Sequence, residues 1–420
     1  MDDSRADKAG NVNAAPQQDA EPRYGWVVVW ACFVALAVIF GVAYSFAAFF
    51  GSFAHEFNAS RAEVSLVFGL SGLLYFVLGA FGGMLADRFG PRRVTSAGML
   101  CICAALVFGS MARSMLELTL VYGVGLGVGI ALVYTPAIGC VQPWFTRRRG
   151  LAAGIASAGI GAGTFGVPLL AAAAISQWQW RGAMLALAAG VLIIGLGATL
   201  LLRPAPAAAR RADGTVPGTP FAQALRSRSF AWLYAMCVLG APAMFIPFAH
   251  LSASARDLGI SDAQSVGLVG LIGIGSLVGR FAIGAVADRI GRPLTLVGVQ
   301  ASLGLSMLLW WSAAHHPTLA VFAVWMGLSY GGIVSLMPAL CMDLYGARAV
   351  SSIIGALYTG AALGNAAGPW VAGLVFDARG SYAIVIAGCA LLSLGATFSA
   401  WRAVRHAPGR GPAAATAPTP

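Results

Sequence analysis

Apolar runs long enough to cross a lipid bilayer recur twelve times in this chain, and no other feature constrains its fold as strongly. They fall at roughly 25–50, 63–86, 94–112, 116–141, 150–174, 181–202, 229–255, 263–286, 294–314, 317–341, 350–375 and 381–403. A spanning helix needs about 20 apolar residues, because its backbone polar groups must pair within the segment where no water reaches. Each run is apolar throughout and does not alternate with polar residues, which excludes a transmembrane barrel. Composition agrees: 59% of the 420 residues are apolar and only 10% charged, too little charge to cover a water-soluble protein of this size. The expectation is an all-α polytopic membrane protein with lipid as its main surroundings.

The segments outside the runs set the topology. Residues 1–23 are polar and lack the apolar core of a signal peptide, so they read as a disordered cytoplasmic tail; residues 405–420, ending GRGPAAATAPTP, read the same way. With both termini inside, twenty Lys and Arg fall on the cytoplasmic side and five on the other: Arg61, Arg113, Arg181, Arg256 and Arg379. The net charge of +11 is therefore mostly topology. No basic stretch is interleaved with stacking aromatics, so nucleic acid is not an expected partner. The seven cysteines lie in or beside helices without CxxC spacing and read as apolar thiols. Neither a metal nor a cofactor is expected. GAGTFG (161–166) fits a dinucleotide pattern but lies inside an apolar helix with no strand before it.

The longest break runs from 204 to 228, with Pro204, Pro206, Pro217 and Pro220, and reads as a cytoplasmic linker between six-helix halves at 24–203 and 229–404. The halves repeat one signal. After the second run the chain reads GGMLADRFGPRR, with Gly83, Asp87 and Arg88; after the eighth it reads GAVADRIGRP, with Gly284, Asp288 and Arg289. In each copy a glycine permits close helix approach, Asp-Arg offers a charged latch, and a second glycine turns the chain. The repeated Gly-x-x-x-Asp-Arg-x-Gly loop resembles that of the major facilitator superfamily. The resemblance implies two six-helix bundles rocking about a site near the bilayer midplane.

Longer stretches resemble one branch of that superfamily. WFTRRRGLAAGIASAG (144–159), together with Tyr24-Gly25-Trp26, is similar to the signatures of monocarboxylate transporters. YGARAVSSIIGALYTGAALG (345–364) resembles the segment entering the eleventh helix of the oxalate/formate exchangers.

An ionisable residue inside a span costs about 2.5–3.5 kcal/mol on insertion scales, so each one invites a functional question. Arg280 is the only formal charge well inside a run. Its residue type allows two readings. A guanidinium offers a carboxylate paired donors on a permanent charge, but a long side chain could also snorkel toward the cytoplasmic surface. The branch resemblance implies the first, since Arg280 matches the eighth-helix arginine that meets substrate there. The departures matter as well: Ala361 and Ala48 stand where relatives carry lysines, and Ser276 where they carry an aspartate one turn before the arginine. One cation balances one carboxylate.

The mid-helix residues Tyr44, Tyr134, Tyr330, Tyr358 and Asn365 are further substrate-binding candidates, although each could equally serve helix packing. His250 and Asp257, seven residues apart, could stack on one helical face and take part in proton coupling. The other reading has His250 packed as a neutral residue and Asp257 solvated. The expected activity is a proton-coupled symporter for small monocarboxylates such as lactate or pyruvate, not an enzyme. It would work as a monomer in a cell membrane, bacterial inner membrane by expectation, with a small carboxylate and protons as its ligands. The alternatives are an organic-anion exchanger and a non-transporting membrane sensor.

Overall fold

The computed structural model describes residues 23–145, 149–204, 218–346 and 349–406. Arg147 and Arg148 of the basic cluster, most of both expected tails and much of the linker lie outside the described residues, as does the side chain of Asp87. Among the described residues there are twelve long helices and no named strand. We label them α1 (Arg23–Tyr44, resumed as Phe46–Glu56), α2 (Arg61–Phe89), α3 (Pro91–Ser110) and α4 (Met115–Leu118, through a wide turn at Thr119–Val124, to Gly125–Val141). Helices α5 and α6 (149–178 and 180–200) are separated only by Gln179, whose φ of 58° and ψ of 175° break the helix. The second half holds α7 (Arg228–Asp257), α8 (Asp262–Ile290), α9 (Arg292–Trp311), α10 (His316–Tyr345), α11 (Val350–Arg379) and α12 (Ala383–Arg405).

Ten stretches are long and apolar enough to span a membrane; one of them, Leu151–Leu200, covers both α5 and α6. Helix α11 is not in that set, because its Tyr358, Thr359, Asn365 and several glycines dilute its apolar character. That composition suits its position, packed along α2 of the other half. The two halves also meet where α5 lies along α8 and where the end of α1 lies against α7.

Local chemistry bends several helices where the halves meet. Ser45 interrupts α1: its hydroxyl donates to the carbonyl of Gly41 at 2.7 Å, one turn back, a bond that competes with the helical ladder. Proline lies inside α4, α5, α7, α10 and α11, where each ring removes a ladder donor. Helix α2 starts at a capping box, with Ser60 accepting from the Glu63 amide while the Glu63 carboxylate accepts from the Ser60 amide.

The paired turns close as the sequence predicts. Gly90 and Gly291 sit at φ of 87° and 91°, each receiving the chain from one helix and starting the next. The preceding glycines behave differently from expectation. A methyl on Gly83 would touch the Thr135 side chain at 3.3 Å, but around Gly284 there is nothing within 4 Å, so close helix approach does not explain that residue. Close approach is found elsewhere, between α8 and α10. There Gly275 and Gly279 face Gly327 and Gly331, and a methyl on any of the four would run into a backbone carbonyl of the opposite helix.

The two fragments of the transporter-like signature form a single knot. Trp26 meets Phe145 edge-on at 5.0 Å, Tyr24 lies 5.7 Å from Trp144, and Gly25 leaves room for both aromatic residues. The end of the linker is also ordered. A short helix, Phe221–Leu225, follows Thr219, whose amide donates to the carbonyl of Tyr345 at 2.7 Å.

Candidate functional site

The α8–α10 contact determines what surrounds Arg280. Because the glycines bring the two backbones together, the next face of α8 is driven into the centre of the molecule. Arg280 is only 6% exposed there, so it does not snorkel to the surface. Its Nε and Nη2 are buried and have no hydrogen-bond partner among the described residues, and the same holds for Ser276 Oγ one turn earlier. A buried guanidinium without an acceptor costs several kcal/mol relative to a paired one, so this arrangement is made to receive an acceptor.

The candidate tyrosines are supplied by both halves. Tyr44 Oη lies 3.1 Å from Tyr330 Oη, a buried hydroxyl pair that joins α1 to α10. The Tyr44 ring stacks on Phe248 of α7 at 4.0 Å. Tyr134, Tyr330 and Tyr358 line a cavity of about 670 Å³, measured with its opening, whose other walls include Phe40, Phe245 and Met337. Arg280 is not itself in that lining. Tyr44 and Asn365 line a smaller adjoining space of about 270 Å³. Asn365 is 1% exposed, its Oδ1 has no partner, and its amide lies directly over Gly72 of α2, where any side chain would collide with it.

The cavity lies toward the end of the molecule where the described chain begins. Met236, Met337 and Tyr358 each stand eight residues from that end of their helices, at Arg228, Tyr345 and Val350. The opposite end is closed by a network across the halves. Arg61 of α2 grips Asp257 of α7 through two nitrogens, at 2.6 and 2.8 Å, and donates to Tyr382 Oη at 2.7 Å. The carboxylate of Asp377 in α11 accepts from the amides of Arg61 and Ala62 at 3.1 and 3.0 Å, satisfying free donors at the start of α2. The Arg61 guanidinium also lies 3.7 Å over the Phe376 ring.

His250 continues this network inward. It is completely buried, with Nδ1 2.9 Å from Tyr382 Oη and Nε2 2.8 Å from the carbonyl of Pro369 and 3.0 Å from Ser65 Oγ. A carbonyl can only accept, so the proton sits on Nε2. Tyr382, which accepts from Arg61, then donates its own proton to Nδ1. His250 and Asp257 therefore do not stack on one another; Tyr382 and Arg61 connect them. Asp257 is not simply solvated, because it carries the Arg61 pair.

At the near end the side chain of Asp87 lies outside the described residues. Asp288, Arg289 and Arg88 are exposed. The ion pairs among the described residues are Arg61–Asp257, Arg181–Glu56, Arg256–Asp262 and Arg292–Asp343, and none includes a latch residue. All seven cysteines are free.

Sequence reasoning brought together Arg280 and the tyrosines but missed Tyr75, Gln300, Arg61 and Tyr382. Tyr75 lines both spaces and could have been found by the same mid-helix criterion as the other tyrosines. Arg61 was counted only as an outer-side charge. Its role depends on partners 196 and 321 residues away, at a separation no local pattern reveals.

The fold has close parallels. The chain superposes on an inward-facing, unoccupied bacterial homolog of the human lysosomal transporter Spinster with a TM-score of 0.68 at 16% identity, covering 92% of this chain and 96% of that one. It superposes on a peptide transporter POT mutant in complex with alafosfalin with a TM-score of 0.72 at 15% identity, covering 91% and 96%. Among curated relatives, monocarboxylate transporter 13 of Rattus norvegicus is 31% identical over 378 residues, covering 88% of this chain and 87% of that protein. Monocarboxylate transporter 3 of the same species is 31% identical over 385 residues, covering 88% and 78%. These relatives are named as transporters and not as enzymes. The family model for the major facilitator superfamily matches residues 31–369 and 244–419, and with the duplicated turn and twelve-helix architecture it places this chain in that superfamily, among proteins resembling its monocarboxylate transporter branch.

Proposed function

We propose that this protein is a secondary active transporter for small monocarboxylates such as lactate and pyruvate, working by proton symport and alternating access. The observation that carries this reading is Arg280, almost fully buried and with two nitrogens unpartnered among the described residues. A carboxylate would take the guanidinium fork through two charge-assisted bonds, and the tyrosine hydroxyls would orient it. The relatives named as monocarboxylate transporters support the same substrate class. Ala48 and Ala361 add no second cation, which favours one carboxylate over two.

The conformation supports a mechanism in which the two ends open in turn. The Arg61 network holds the far end shut while Asp288 and Arg289 are exposed and without an ion pair among the described residues, so substrate would exchange through the near opening. With both termini cytoplasmic, that opening faces the cytoplasm of a cell membrane, in our reading a bacterial inner membrane. Proton coupling is assigned to His250. A proton arriving at Nδ1 would meet the Tyr382 hydroxyl, whose own proton already points there. Tyr382 would then have to turn, disturbing its bond from Arg61 and through Arg61 the links to Asp257 and Asp377.

Purified protein in liposomes, given labelled lactate and an inward proton gradient, tests this reading. The expected result is accumulation that a protonophore abolishes. Accumulation indifferent to the gradient would remove proton symport in favour of anion exchange or facilitated diffusion. No uptake of any monocarboxylate would remove the substrate assignment.

A further inference from the structure

Gln300 is the only side chain in the cavity wall contributed by α9, a helix otherwise packed against α10 and α12. It is 1% exposed, and its Nε2 has no hydrogen-bond partner among the described residues. It reaches the cavity because α7 has no side chain at Gly240, where an added methyl would come within 3.0 Å of the Gln300 amide nitrogen. Met236, Cys237 and Met337 contribute apolar side chains to the same cavity wall. Such a wall fills readily around differently shaped apolar groups, because methionine is flexible and polarizable. An unpaired carboxamide on that wall is costly unless a ligand atom pairs with it.

We infer that Gln300 is a specificity-determining residue which donates a hydrogen bond to an acceptor oxygen on the non-carboxylate end of the substrate. The recess around it selects monocarboxylates with an apolar body and a distal carbonyl or hydroxyl. This inference rests on the proposed carboxylate site: Arg280 takes the carboxylate, and the C-terminal half of the cavity takes the rest.

Levulinate and pentanoate are matched in length and differ only by a ketone, so their relative transport isolates this contact. The measurement is the ratio of transport efficiencies, Vmax/KM, for the two acids in proteoliposomes. Wild type is expected to favour levulinate, and Gln300→Met, which keeps an unbranched side chain of similar size, to reduce that preference about tenfold, the effect of losing a hydrogen bond worth about one factor of ten. Gln300→Leu provides a second apolar variant should the first fail to fold. A preference unchanged within about twofold in the folded variants would overturn the inference, as would a wild type indifferent to the ketone. If wild type transports neither acid nor lactate, the carboxylate site itself fails and this inference with it. Transport of both acids without discrimination fails the role of Gln300 alone.

Discussion

Arg280 and Arg61 are both arginines that the membrane makes expensive, and they meet the cost in opposite ways. Arg61 is surrounded by what it needs: Asp257 in two-point contact, the Tyr382 hydroxyl and the Phe376 ring. Arg280 has two buried nitrogens left unpaired. The first pattern is that of a structural tie and the second that of a binding residue. The Tyr44–Tyr330 hydroxyl pair joins the two halves. Replacing Tyr330 by Phe removes one partner and leaves the Tyr44 hydroxyl buried without it, an effect of about 1–2 kcal/mol. We expect the lactate KM to rise by roughly five- to thirtyfold with the protein still folded, a shift measurable by initial-rate uptake. Arg280 was legible in the sequence because a lone charge in an apolar run is conspicuous. Gln300 was not, since its place in the cavity wall depends on its facing Gly240 of α7, sixty residues away.

At the level of elements, hydrophobic run length predicted every long helix, and the differences are confined to their ends and joints. The break between α5 and α6 is one residue, Gln179, where the apolar runs ended at about 174 and resumed at about 181. The duplicated turns were legible because glycine at positive φ is a local requirement. The tight contact between α8 and α10 depends on which faces meet, and that is not local. It yields a sharp contrast between two glycines. Gly331→Val places a branched side chain against the Ser276 carbonyl and should destabilise the protein by about 1–3 kcal/mol or more, displacing Arg280 with α8. Gly284→Ala meets open space and should be tolerated. Thermal unfolding of the purified variants in detergent, read beside lactate uptake, checks both. Equal effects would mean that the α8–α10 contact is not what positions Arg280.

Across the whole molecule, the far end is shut by residues of α2, α7 and α11 and by Tyr382 just before α12, while Asp288 and Arg289 are exposed at the near end. The repeat of the Asp-Arg turn made two related halves legible in the sequence. Which end is closed was not legible, because that depends on contacts between halves whose residues lie hundreds of positions apart. The same arrangement explains why a single arginine can serve a carrier: it sits where neither end of the molecule can satisfy it. The central claim is that Arg280 binds the carboxylate of the transported substrate. Counterflow of labelled lactate into proteoliposomes preloaded with unlabelled lactate tests it without needing a proton gradient. Wild type should show a transient overshoot that Arg280→Ala abolishes and Arg280→Lys, which keeps the charge but loses the paired donors, reduces about tenfold or more. Overshoot of wild-type size in a folded Arg280→Ala protein would contradict the account.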